Sequence, residues 1–75
     1  MEYQYELDAR GLPCPVPVLR LKTAMVGIKK GDVIRLIADD PRSPPDVKAY
    51  VFHSRNRLLE LYSQEDELVF LVEKC

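Results

Sequence analysis

Tyr3, Tyr5 and Leu7 alternate with Gln4, Glu6 and Asp8 near the start of the chain, a period of two that predicts a half-buried β-strand. The stretch Arg10-Gly11-Leu12-Pro13-Cys14-Pro15-Val16-Pro17 breaks that alternation with one glycine and three prolines, as a loop does. Beyond it Val18, Leu21, Met25 and Ile28 recur every three or four residues, and this spacing predicts an amphipathic helix of about three turns ending near Gly27. Gly31-Asp32 reads as a turn. Val33 to Ala38 reads as a second, more apolar strand, closed by Asp39-Asp40-Pro41. Ser43-Pro44-Pro45-Asp46 has the form of a helix start, with Ser43 as cap, Pro44 in the first helical position and an acid three residues past the cap. Val47, Tyr50, Val51 and Ser54 continue that helix. A third strand is expected from Leu58 to Ser63, a turn at Gln64-Glu65-Asp66, and a fourth strand from Glu67 to Lys74. Leu68, Phe70 and Val72 line one face of the last strand, Val69 and Leu71 the other.

The order β-α-β-α-β-β favours a parallel first pair of strands and an antiparallel last pair. Two short helices cover only one face of four strands, so the expected fold is α/β (α+β), a two-layer sandwich forming a single domain over residues 1–75. At 47% hydrophobic and 31% charged residues, the composition excludes a disordered tail. No apolar run approaches the ~20 residues of a membrane-spanning helix, and MEYQYELD lacks the basic and apolar regions of a signal peptide; the expected address is the cytoplasm. The net charge of −1 divides into +2 over residues 1–31 and −3 over residues 32–75, too weak an asymmetry for a nucleic-acid binder. Cys14 and Cys75 are too few for a disulfide scaffold. With His53 they do not complete a four-ligand zinc site without carboxylates, so neither a metal nor a cofactor is expected.

The chemistry concentrates at Cys14. Proline is tolerated in the first helical turn, where N–H groups have no intrahelical acceptor. Pro15 and Pro17 thus fit the first and third helical positions, and Cys14 becomes the cap. A residue before proline is pushed toward extended angles, which a cap also requires. A thiol there is expected to sit at the positive end of the helix dipole, accept the Val16 N–H as a thiolate, and have a lowered pKa, with Arg10 and Arg20 pushing the same way. A buried structural cysteine needs no such pre-ordering, so the motif predicts an exposed nucleophile. His53 could act as its base only through tertiary proximity, and a Cys-x-x-Cys pair is absent because Pro17 occupies the second position. A cysteine without an adjacent base suits accepting and passing on a soft group such as sulfane sulfur.

Leu7-Asp8-Ala9-Arg10-Gly11-Leu12-Pro13-Cys14-Pro15-Val16-Pro17, with its Cys-Pro-x-Pro core, resembles the hallmark of the TusA (SirA-like) sulfur-carrier family, and Asp39-Asp40-Pro41 followed by Asp46 supports the likeness. The resemblance covers nearly the whole chain. It implies a mixed four-stranded sheet and a sulfur carrier that holds a persulfide on Cys14, its catalytic residue, with Arg10, Gly11, Pro13, Pro15 and Pro17 shaping the loop. Asp39 and Asp40 are expected at the same sheet edge, either docking a partner or finishing the turn. Arg20, Lys22, Lys29 and Lys30 offer docking charge for an acidic partner. The implied partners are a sulfur-donor protein, such as a cysteine desulfurase or rhodanese, and a downstream acceptor protein in tRNA thiolation, molybdenum-cofactor synthesis or sulfur oxidation. Direct nucleic-acid or membrane binding is not expected. Cys75 falls at the opposite sheet edge, about 20 Å away, so no internal bridge forms. The competing reading is a non-catalytic interaction or regulatory module that uses the helix-free sheet face.

Overall fold

The computed structural model describes residues 2–75, ordered as β1 (Tyr5–Ala9), α1 (Val16–Val26), β2 (Val33–Ala38), α2 (Ser43–Ser54), β3 (Arg57–Gln64) and β4 (Glu67–Glu73). The strands form one mixed sheet in the order β1-β2-β4-β3. β1 and β2 are parallel, whereas β4 runs antiparallel to both β2 and β3. This is the expected element order and layer arrangement.

The boundaries move by a few residues where pairing decides them. β1 starts at Tyr5 rather than Tyr3 because its ladder runs from Tyr5–Ile34 to Ala9–Ala38. Gln4 instead donates its backbone N–H to the Val33 carbonyl (3.0 Å) and accepts the Val33 N–H on its side chain (2.7 Å). β3 is longer than expected because Arg57 opposes Glu73 and Gln64 opposes Glu67 at its two ends. Glu65 and Asp66 close this hairpin with φ of 46° and 67°, the paired positive angles that two-residue hairpin turns require. Lys74 lies past β4 but exchanges backbone hydrogen bonds with Gly31 and Asp32.

Register separates the faces. Leu7 and Ala9, Ile34, Leu36 and Ala38, and Phe70 and Val72 face the helices, where they enclose a core with Leu21 and Met25 of α1 and Val47 and Val51 of α2. Val33, Ile37, Val69 and Leu71 lie on the other face yet are at most 7% exposed. Arg35 lies among them, bonded to Glu6 at 2.6 Å with its guanidinium 5.7 Å from the Tyr3 ring. Arg10 bridges Asp8 of β1 and Glu67 of β4 at 2.8 and 2.9 Å. The helix-free face therefore presents charged and aromatic groups rather than an apolar patch, which removes the physical basis for an apolar partner surface there. Among the described residues, the large hydrophobic side chains left in solvent are Leu19, Val26 and Phe52 on the helices and Tyr3 and Tyr5.

Both helices begin one residue away from expectation. Arg42, not Ser43, is the cap of α2, and Ser43 is already helical, donating its N–H to the Asp40 carbonyl (3.0 Å). The Ser43 hydroxyl is buried with no hydrogen-bond partner among the described residues. Removing an unpaired buried hydroxyl favours the folded state. Ser43→Ala is therefore expected to stabilise the protein by roughly 1 kcal/mol in urea unfolding; loss of a working cap would instead cost about 1 kcal/mol.

Candidate functional site

The finish of β1, the finish of β2 and the start of each helix meet at one edge of the sheet, and Cys14 lies there in the β1–α1 loop. Gly11 opens the loop with φ of +77°, a left-handed conformation that glycine adopts without steric cost. Its N–H donates to Asp39 Oδ2 at 2.9 Å. The Cys14 N–H donates to Asp40 Oδ2, also at 2.9 Å. Asp40 additionally accepts the Arg42 N–H (2.9 Å) and its guanidinium (2.8 and 3.1 Å). The two aspartates thus use their carboxylates to pin the cysteine loop.

Pro15 is the cap of α1 and Val16 its first helical residue, so Cys14 stands one position outside the expected place. The Val16 N–H is taken by the Pro13 carbonyl (2.8 Å), not by the sulfur, and the Cys14–Pro15 peptide is cis. Pro13 and Pro15 are exposed on either side of the half-buried Cys14, and Pro17 is buried against the core. The thiol donates to Oδ2 of Asp46 in the first turn of α2. That hydrogen bond, with partial desolvation and the Asp46 charge, pushes the Cys14 thiol up, and only Arg42 pulls it down. The direction is opposite to the expected lowering: a carboxylate reached through the tertiary fold sits against the sulfur, and Cys14 stands outside the helix cap. Arg10 does not assist the sulfur, because its guanidinium is committed to Asp8 and Glu67.

Two shallow depressions flank the cysteine. One, of about 510 Å³, is lined by Pro13, Asp40 and Arg42 among others. The second, of about 290 Å³, lies between the helices and includes Pro15, Leu19, Asp46 and Tyr50. Lys22 lines this groove, and Arg20 is exposed on the same helix. Lys29 and Lys30 precede the Gly31–Lys74 contact at the opposite edge, so they add no docking charge near the sulfur. His53 is exposed near the end of α2 with its ring against Phe52, and Cys75 is a free thiol whose N–H bonds to Asn56. Asp46, read from the sequence only as a first-turn acid and a supporting landmark of the resemblance, is the residue the fold adds to the site; its signal was an acid in the first turn of a helix starting at the cysteine's own sheet edge.

The Arg42 guanidinium and the backbone N–H groups of Cys14 and Arg42 hold the Asp40 carboxyl far below the usual carboxylate range. A carboxyl depressed in the folded state adds stability above its unfolded pKa of ~3.9 and loses it as pH falls through the folded value. The thermal midpoint is expected to fall as pH drops from about 4 toward 2. Asp40→Asn should flatten that slope, measured by circular dichroism melts; parallel slopes would contradict the assignment.

The arrangement is that of a small α+β sandwich displaying one thiol on a clamped loop beside a carboxylate. The profile of the family described as Sulfurtransferase TusA matches residues 5–74. The chain is 37% identical over 73 residues to the sulfur carrier protein TusA of Allochromatium vinosum, covering 97% of this chain and 96% of that protein. It is 35% identical over 68 residues to a putative sulfur carrier protein of Bacillus subtilis, 91% of each chain. The crystal structure of a SirA-like protein from Desulfitobacterium hafniense superposes with a TM-score of 0.79 over 93% of this chain and 95% of that one, at 21% identity, and shares the fold. This chain belongs to the TusA family.

Proposed function

We propose that the protein is a sulfur carrier, with Cys14 accepting sulfane sulfur as a persulfide and relaying it to an acceptor protein. The observation that carries this reading is the setting of Cys14: a free, half-buried thiol outside the hydrophobic core, on a loop fixed by Asp39 and Asp40. A loop held by its backbone leaves the side chain available for chemistry and presents it reproducibly. The relatives named as sulfur carriers support the same reading.

In this proposal Gly11, Pro13, Pro15 and Pro17 shape the loop, and Asp39 and Asp40 hold it. Arg10 braces the end of β1 through Asp8. The donor is a protein persulfide of the cysteine desulfurase or rhodanese type, the acceptor another protein thiol or a modifying enzyme, and the compartment the cytoplasm. Neither partner has to be a nucleic acid, even where the final product is thiolated tRNA. Among the described residues, no helix is long and apolar enough to cross a membrane.

The test is direct. Reduced protein incubated with a cysteine desulfurase and free cysteine should gain the mass of one sulfur atom, and a thiol reductant should remove it. No gain with either a desulfurase or a small hydropersulfide would overturn the reading.

A further inference from the structure

Among the described residues, the one hydrogen-bond partner of the Cys14 thiol that can take up its proton is the Asp46 carboxylate. The other charges acting on Cys14 are Asp40 and Arg42 on the β2–α2 loop. Arg42 is already ion-paired with Asp40 at 2.8 Å. Lys22 of α1 and Tyr50 of α2 line the groove that contains Asp46, but neither bonds to the thiol. Among the described residues, Asp46 is the acceptor of the thiol's hydrogen bond.

We propose that Asp46 is a catalytic residue of sulfur uptake: it holds the Cys14 proton in the empty carrier, takes it as the donor sulfur is attacked, and hands it to the donor's departing sulfur. This rests on the sulfur-carrier reading. The step is Cys14–SH + R–S–SH → Cys14–S–SH + R–SH, with R–S–SH a hydropersulfide donor. A bond forms between Cys14 Sγ and the sulfane sulfur, the donor S–S bond breaks, and its electron pair leaves with the inner donor sulfur. The proton released by Cys14 passes through the Asp46 carboxylate to that leaving thiolate. Sulfane sulfur moves between equivalent thiols, so no external oxidant or reductant is consumed. A carboxylate in contact with the thiol suits both halves of the exchange, because general acid–base transfer requires hydrogen-bond reach of the reacting proton. The same contact disfavours the thiolate at rest, as an adjacent negative charge does.

Two reagents with opposite proton demands separate this role from mere support of the loop. Iodoacetamide consumes the thiolate and releases iodide, which needs no proton; a hydropersulfide releases a thiolate, which does. With Cys75→Ser as background, Asp46→Asn should alkylate roughly three- to tenfold faster at pH 7, its pH profile moving to lower pH. Sulfur uptake from glutathione hydropersulfide should meanwhile slow by about tenfold or more, within the range general acid–base groups contribute. Asp46→Glu should restore both rates toward the unsubstituted values. Rates that fall together, rise together or stay unchanged would overturn the proposal. Should Asp46→Asn fail to fold, Asp46→Ser, which also lacks the carboxylate, takes its place with the same two rate measurements, and rates that move in the same direction would overturn the proposal. Failure of the carrier reading is distinguishable, because the unsubstituted protein would then take up no sulfur while the alkylation profile still reported on the pair.

Discussion

Cys14→Ser is expected to abolish sulfur uptake completely, with no mass gain from a desulfurase or a hydropersulfide, while Cys75→Ser retains the full gain. A serine hydroxyl ionises far too weakly to attack sulfane sulfur at neutral pH, so the chemistry goes even though the loop clamp remains. That clamp is built from backbone N–H groups at Gly11 and Cys14 and survives the change of side chain. Cys75 is expected to be dispensable because it lies past the end of β4, where Glu73 pairs with Val33 at the start of β2. Cys14 follows Ala9, which pairs with Ala38 at the finish of β2. Intact-mass measurement on the two variants decides between them; a gain retained by Cys14→Ser would transfer the role to Cys75.

Phe70→Ala is expected to remove a large share of the protein's stability, shifting its urea midpoint well below that of the unsubstituted protein. Phe70 is fully buried on β4, paired across the sheet with Leu36 and Leu61 on the helix-facing side. Truncating a buried phenylalanine costs about 3–5 kcal/mol. At roughly 0.05–0.15 kcal/mol per residue, a chain of 75 residues has about 4–11 kcal/mol in total. Phe70→Leu, closer in volume, should cost under about 1.5 kcal/mol. Urea unfolding followed by circular dichroism distinguishes the two; equal midpoints for Phe70→Ala and the unsubstituted protein would contradict this view of the core.

Local pattern carried the architecture well. The alternation ending at Leu7 and the apolar run Val33–Ala38 both became paired strands, and the Val18-Leu21-Met25 spacing became α1. Leu68, Phe70 and Val72 face the helices as their alternation implied. Element ends were less legible because they depend on partners: Gln4 falls outside β1 through its own exchange with Val33. The site divides along the same line. Cys14 was visible because prolines restrict its loop from within. Its electrostatics were not, because the deciding carboxylate arrives from α2, 32 residues later in the chain. A helix-end argument sees only neighbouring peptides, whereas Cys14 stands outside the cap with Asp46 against its sulfur. Arg10 misled similarly: close in sequence, it is held by Asp8 and by Glu67 from the far strand. Asp39 and Asp40, placed at this edge by sequence reasoning, proved to bind the loop's own amides.

β1 enters the sheet opposite Ile34, and β4 departs opposite Val33. Entry and exit of the polypeptide thus lie side by side at one pole, with the thiol at the other. An added tag, linker or neighbouring module at either end would hang from the rear of the molecule and leave the reactive tip unobstructed.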